Sequence, residues 1–243
     1  FFWTRGLKGT YPNILKSEKY GEEASKLFRD ALAMVETLKK QNIVQLKSRV
    51  GIFKAHSENE NVHILDQNSQ QLESLYFDRQ QKIKVVNHNV HYCLADFIAP
   101  KTSEINDYMG AFVVTSGSEI DDYAKTFELQ GDDYNSILVK SIADRFAEAL
   151  AELTHKKVRD IFGYGKTEDL SVNELISERY RGIRPAPGYP ACPRHDEKLK
   201  IWNLLDAEKH TGVKLTENFA MTPGSSISGF YFNHPEAKYF SVL

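Results

Sequence analysis

Val50-Gly51-Ile52-Phe53-Lys54-Ala55-His56-Ser57-Glu58-Asn59-Glu60-Asn61-Val62-His63-Ile64-Leu65 reads as a hairpin: strands over 50–55 and 62–65 flank the polar stretch 57–61. Upstream, Ala24, Leu27, Phe28, Ala31, Val35 and Leu38 recur at three- and four-residue spacing, which predicts a helix over about 19–39 with one buried stripe. Downstream, a helix is expected over about 70–81 and a strand over 109–114. The strongest helix signal runs from Asp133 to about Ile161, with Ile137, Leu138, Ala143, Phe146, Leu150, Leu153, Val158 and Ile161 marking its apolar side. Ser171-Val172-Asn173-Glu174 is a capping box that opens a short helix ending near Tyr180. Residues 196–210 read as helix again, with Ile201, Leu204 and Leu205 inward and Gly212 just past the end, where a left-handed residue stops helices. Aromatic, β-prone stretches at 227–233 and 238–242 close the chain, with Pro235 marking the turn between them.

Strands therefore come in adjacent pairs, and helices do not alternate with them one for one. That pattern predicts an α+β fold with antiparallel pairing, not a doubly wound parallel sheet. No Gly-x-Gly-x-x-Gly occurs, so a Rossmann methyltransferase is disfavoured. Without an internal repeat or a low-complexity linker, one domain over 1–243 is the expectation.

At 41% hydrophobic and 26% charged residues, the chain has enough apolar side chain for a sizeable core. A formal net charge of -2 lacks the basic footprint of a nucleic-acid binder. No apolar run approaches the roughly 20 residues that span a bilayer, so no membrane partner is expected. The two cysteines, Cys93 and Cys192, make no disulfide framework and suit a reducing, cytoplasmic setting. The ends, Phe1-Phe2-Trp3 and Val242-Leu243, read as cut from a longer polypeptide.

The stretch most suited to chemistry is Gly182-Ile183-Arg184-Pro185-Ala186-Pro187-Gly188-Tyr189-Pro190-Ala191-Cys192-Pro193. Its four prolines forbid helix and central strand alike and fix an extended shape at little entropic cost, leaving its main-chain groups largely free of secondary-structure pairing. Arg184 offers a planar fork for a carboxylate, Gly188 lets a group approach the main chain, and Tyr189 offers a ring face. A plain crossover loop is the alternative reading of this stretch taken alone. Asp144, Glu148, Glu152 and His155 form an acidic stripe on the long helix; Glu152 and His155 read as a solvated face. Glu152-Leu153-Thr154-His155 fits a di-iron pattern but lacks its required second copy. His88, His91 and Cys93 read as structural, because a fourth ligand is missing. Cys192, with His195 three residues on, reads as a packing cysteine more than a nucleophile.

Arg184-Pro-Ala-Pro-Gly-Tyr-Pro-Ala-Cys-Pro193 closely resembles the ligand loop of the activation domain of cobalamin-dependent methionine synthases. So do Leu7-Lys8-Gly9-Thr10-Tyr11-Pro12, Tyr92-Cys93-Leu94-Ala95-Asp96-Phe97, Asp132-Asp133-Tyr134-Asn135, Glu208-Lys209-His210-Thr211-Gly212 and His234-Pro235-Glu236-Ala237-Lys238-Tyr239. The resemblance spans almost the whole chain in order. Phe162-Gly163-Tyr164-Gly165 departs slightly from the family pattern and is expected to lie off the site.

The resemblance implies a single curved domain with a central, largely antiparallel sheet flanked by helices, and S-adenosylmethionine on its inner surface. Arg184, Ala186, Gly188 and Tyr189 match the ligand loop, Asp30 the acid at the ligand's amino end, and Glu148 a further polar contact. Tyr239 and Phe240 match an aromatic pair near the ligand. On that reading Arg184 pairs the ligand carboxylate, Asp30 its ammonium and the loop backbone its adenine edge. No residue of this chain acts as acid or base, and no metal site is expected in it. The resemblance further implies a fragment of a larger multidomain enzyme that reactivates cob(II)alamin. Cobalamin sits on a neighbouring domain, zinc lies further upstream, and flavodoxin or an equivalent reductase supplies the electron. The isolated piece is expected to bind without turnover, and Asp144 to mark a docking surface. Two alternatives stay open: an independent enzyme using Cys192 or the Asp144/Glu148 pair, and a free-standing regulatory binder of the same ligand.

Overall fold

Asp107–Thr115 is buried along almost its whole length, which makes it the centre of the molecule. In this computed structural model, which describes residues 6–81 and 90–242, that segment is the fourth strand of a five-stranded sheet. The strands are β1 (Lys47–Glu58), β2 (Asn61–Leu65), β3 (Gln71–Tyr76), β4 (Asp107–Thr115) and the last one, β5 (Ser226–Tyr231). They lie in the order β3-β2-β1-β4-β5, and every pairing is antiparallel. The α+β expectation holds, and a parallel doubly wound sheet is excluded.

Because side chains alternate across a strand, β4 feeds two cores at once. Met109, Ala111 and Val113 point into a large cluster with Ile201, Leu205, Phe230 and Phe232. Phe112 and Val114 point the other way, onto Ala151, Val158 and Tyr231. The sheet is thus sandwiched between α3 (Asp133–Ile161) on one face and α5 (Glu197–Leu205) with α6 (Ala207–Thr211) on the other. A third cluster joins α1 (Gly21–Lys40), α2 (Glu119–Glu128) and the first half of α3 through Leu27, Leu38, Ile120 and Ile142. In α1, Glu22 and Glu23 sit in the first turn and Lys39 and Lys40 in the last, each sign matched to the helix dipole.

The hairpin forms as its sequence suggests, tightly closed at Glu58↔Asn61 with Asn59 left-handed at φ 56°. The stretch 70–81 is not helix. Gln71–Tyr76 pairs with the free edge of β2, because Leu75 and Phe77, two residues apart, both reach the core. The helical preference of its Gln, Leu and Glu residues loses to that burial. The expected final strand over 238–242 also does not form. Its amide Val242 N donates instead to the Pro190 carbonyl at 3.0 Å, because the outer edge of β5 is already occupied.

On α3, Ile137, Leu153 and Ile161 are exposed; the buried stripe is Leu138, Val139, Ile142, Ala143, Ala147, Ala151, Thr154, His155, Val158 and Arg159. The capping box at Ser171 and Glu174 is present in both directions, opening α4 (Val172–Ile176). The helix expected over 196–210 breaks at Asp206, left-handed at φ 49°, into α5 and α6, and Gly212 ends it left-handed at φ 79°. Among the described residues no helix is long and apolar enough to cross a membrane.

Candidate functional site

The proline loop is not free of secondary structure, as its composition suggests; its first residues extend the sheet. Ile183 N donates to the Phe232 carbonyl and Phe232 N to the Ile183 carbonyl, both at 3.0 Å, and Phe230 N donates to the Pro185 carbonyl at 2.9 Å. A proline suits this edge because only its carbonyl is needed. Opposite it stands Gly229, where an added Cβ would come 2.7 Å from the Pro185 oxygen. Beyond Pro187 the loop closes on itself, with Gly188 N donating to the Cys192 carbonyl at 2.7 Å and Cys192 N to the Tyr189 carbonyl at 2.8 Å. Gly188 is left-handed at φ 97°, and a Cβ there would strike the His195 ring. Glycine is required at 188 on both counts. Ala186 is half-buried, and its N–H has no partner among the described residues. Tyr189 is 66% exposed.

Where the loop leaves the sheet, Arg184 turns toward α3. Its Nη1 donates to Glu152 Oε2 at 2.6 Å and to the Tyr180 hydroxyl, and its Nη2 lies 3.4 Å from Glu178 Oε1. Its main-chain N–H donates to the Tyr239 hydroxyl at 3.1 Å. Burial opposes the charge on Arg184, but the surrounding Tyr180, Glu152 and Glu178 outweigh it and hold the guanidinium protonated.

Beneath Arg184 lies a second, fully buried guanidinium. Arg159 is 0% exposed; its Nε donates to Glu168 Oε2 at 2.9 Å and its plane lies 3.9 Å over the Tyr180 ring. Its Nη1 is 4.0 Å from Glu152 Oε1, and neither Nη1 nor Nη2 has a hydrogen-bond partner. Between the two arginines sits His155, stacked on Tyr231 at 4.8 Å and edge-on to Tyr180 at 4.9 Å. Burial, then Arg159 and Arg184, push its pKa down to about 2, so it stays neutral. Glu152, His155 and Arg159 share a helix face through their spacing. Two cations, three carboxylates and a neutral imidazole thus form a half-buried polar knot under the loop. Tyr180 and Tyr231 hydroxyls have raised pKa values, chiefly through burial, and remain protonated.

In front of this knot opens a groove of about 640 Å³, lined by Glu148, Glu152, Leu153, Val172, Ile176 and Arg184, among others. Its size is that of a typical small-molecule site, with apolar walls and convergent charges. The structure therefore brings Arg184 together with Glu148 and Tyr239, beside Ala186, Gly188 and Tyr189 of the same loop. Two expected residues are elsewhere. Asp30 accepts from the Tyr134 hydroxyl at 2.6 Å. Tyr134 lies eighteen residues before Glu152 on one unbroken helix, about 27 Å at about 1.5 Å per residue. Asp30 is therefore bonded near the opposite end of α3 from Arg184, and it does not line the groove. Phe240 packs inward against Tyr92 and Phe97 at 5.8 and 6.4 Å.

Glu152 and His155 are not a solvated face, and with Arg159, Tyr180 and Glu178 they are the residues that sequence reasoning missed. Their one signal was position: Glu152 and His155 stand one and two turns beyond Glu148. Asp144 lies in a different groove of mixed charge with Asp121, Lys125, Glu128 and Lys140, so the acidic stripe is divided between two sites. Tyr164 hydrogen-bonds Asn233 at 2.8 Å and stacks under Arg181, away from Arg184. Cys192 is buried with its thiol pushed up to about 12 by burial, which disables it as a nucleophile at neutral pH. Cys93 is likewise buried, its thiol pushed up to about 11 and bonded to the Phe77 carbonyl; His91 Nδ1 is 2.6 Å from the Gln80 carbonyl, and His88 lies outside the described residues.

Over residues 1–243 the sequence matches the family described as "Vitamin B12 dependent methionine synthase, activation domain". Among solved structures it is similar to one described as "Crystal Structure of the MetH Reactivation Domain bound to AdoHcy". The identity is 51% and the TM-score 0.95, with all of this chain and 75% of that one covered. The chain belongs to the family of vitamin B12 dependent methionine synthase activation domains.

Proposed function

We propose that this domain binds S-adenosylmethionine in the groove before Arg184 and presents its methyl group to a cobalamin cofactor held by another domain. The observation that carries the reading is the Arg184 guanidinium, fixed by Glu152 and Tyr180 at the mouth of a groove of nucleoside size. Family membership, and the AdoHcy bound to the similar reactivation domain, point the same way.

The residues present fit the ligand. Arg184 pairs its carboxylate, taking up the fork now shared with the loosely held Glu178. Glu148, on the groove wall, is the acid placed for the ammonium, in preference to Asp30, which does not line the groove. The unpartnered Ala186 N–H and the neighbouring loop carbonyls meet the adenine edge, and the exposed Tyr189 ring meets its face. Gly188, Tyr239 and the buried knot hold these groups in place. Phe240 anchors the segment that carries Tyr239 through its packing on Tyr92.

S-adenosylmethionine supplies an electrophilic methyl group, which in this family's chemistry goes to cobalamin after flavodoxin or an equivalent donor has reduced it. The chain's own share is binding, orientation and exclusion of water, so its effect is proximity and not acid–base chemistry. On this reading the chain works in the cytoplasm as one domain of a longer enzyme. Cobalamin, zinc and the reductase engage other parts of that enzyme, and the isolated domain binds without turnover.

Calorimetric titration with S-adenosylmethionine tests the assignment. Wild type and Asp30→Ala are expected to bind alike, and Arg184→Ala to lose about 100-fold or more, as removal of a charge-assisted pair costs about 3 kcal/mol. Equal binding by wild type and Arg184→Ala would move the ligand out of this groove. Cys192→Ala is expected to leave binding unchanged, which separates this reading from an independent cysteine enzyme.

A further inference from the structure

The outer face of the β1–β2 hairpin gathers three metal-ligating side chains that the ligand site does not use. Ala55, Val62 and Ile64 of these strands are buried in the core. Alternation sends His56, Glu58 and His63 to the opposite face. The strand register sets His56 directly across from His63, and their rings stand 5.1 Å apart. Glu58 follows two residues after His56 on the same face, with its Oε2 3.8 Å from His63 Nε2. One ligating atom from each residue lies within 4.8 Å of the others. His63 Nδ1 is buried and has no hydrogen-bond partner.

We propose that His56, His63 and Glu58 form a three-ligand site for a divalent transition-metal ion of the zinc class. Imidazole nitrogen and carboxylate oxygen are the donors such ions prefer, at about 2.0–2.2 Å. Tetrahedral bonds of that length set ligand atoms roughly 3.5 Å apart. The antiparallel ladder fixes both backbones, so side-chain rotation is the movement that has to bring the ligand atoms from within 4.8 Å to that distance. The competing contact is Lys101 Nζ, 3.8 Å from the same Glu58 oxygen. Both partners are mostly exposed, and a solvated pair of that kind yields readily to a doubly charged ion. The fourth position stays open to water. A bound ion joins β1 to β2 across the tip of the sheet, through the partly exposed His63 ring whose Nε2 already faces Glu58.

The test uses Zn2+ alone, titrated into metal-stripped protein and read by calorimetry and by the thermal midpoint. Wild type is expected to take up one equivalent at about micromolar Kd and to melt higher with the ion present. His56→Ala and His63→Ala are each expected to weaken uptake about 30-fold and to abolish the rise in midpoint. His234→Ala, removing an exposed histidine elsewhere, serves as control and is expected to bind like wild type. Midpoints without metal show that each variant is folded. Uptake that is absent in wild type, or equal in wild type and His63→Ala, overturns the proposal.

Discussion

At its N-terminal end α3 meets α1 through Tyr134 and Asp30, 2.6 Å apart; toward its C-terminal end it meets the proline loop through Glu152, Tyr180 and Arg184. Both contacts join an acid to a tyrosine, yet their surroundings differ. At the Asp30 end, α1, α2 and α3 are joined by an apolar core that includes Leu27, Leu38, Leu138 and Ile142. The hydrogen bond there ties two helices together. Around Glu152 stand two guanidiniums, two further carboxylates and a neutral histidine, with nitrogen and oxygen atoms of Glu152, His155, Arg159 and Tyr231 left unpartnered. An acid on a helix becomes part of a binding site where its neighbours leave polar capacity unused beside open space. Where they do not, it is a fastener.

The largest expected separation of the two ends comes from their glycines. Gly131, just ahead of α3, is left-handed at φ 73° with open space around it, whereas Gly188 is left-handed and pressed against His195. Gly131→Ala is expected to cost about 1 kcal/mol of stability from backbone strain alone. Gly188→Ala is expected to cost about 2–4 kcal/mol and to weaken S-adenosylmethionine binding at least tenfold. Urea unfolding and titration of both variants check this, and equal effects would mean the loop adapts freely.

A smaller effect follows from His155. Its folded pKa is about 2 against 6.5 when solvated, so below pH 6.5 the unfolded chain takes up a proton that the fold refuses. This contribution to stability is present in full above pH 6.5 and falls as pH drops toward 2, by up to about 1.4 kcal/mol per pH unit. His155→Gln is expected to flatten the wild-type decline in urea stability between about pH 5 and 7 by part of that slope. Parallel profiles for the two proteins would place an ionised imidazole in the knot.

The smallest effect sharpens the contrast. Tyr134→Phe is expected to lose about 1 kcal/mol of stability with its hydrogen bond and to leave ligand affinity untouched. A tenfold fall in affinity would couple the two ends of α3 that the geometry separates.

Local chemistry carried much of this reading. The hairpin follows from alternating apolar residues around a polar turn, α1 from three- and four-residue spacing, and the helix start at Ser171 and the helix stop at Gly212 from capping residues, all of them near-neighbour effects. The loop was legible because four prolines leave few backbone conformations. Matching motifs located Arg184 and Tyr239, which the fold brings together, but they also named Asp30, which it does not. Gln71–Tyr76 was misread because its residue preferences point to helix while burial of Leu75 and Phe77 is decided by a partner strand.

What the sequence by itself determined is the hairpin, the long helices α1 and α3, the antiparallel class, the rigid loop and its arginine, because each depends on residues a few positions apart. Only the tertiary structure decided which groups meet. Arg159 and Glu168 close under Tyr180, Glu152 reaches Arg184 thirty-two residues away, and His56 faces His63 across a register that spacing alone does not reveal. Those meetings depend on how α3 lies on the sheet and how strands pair, and burial of the whole core fixes both.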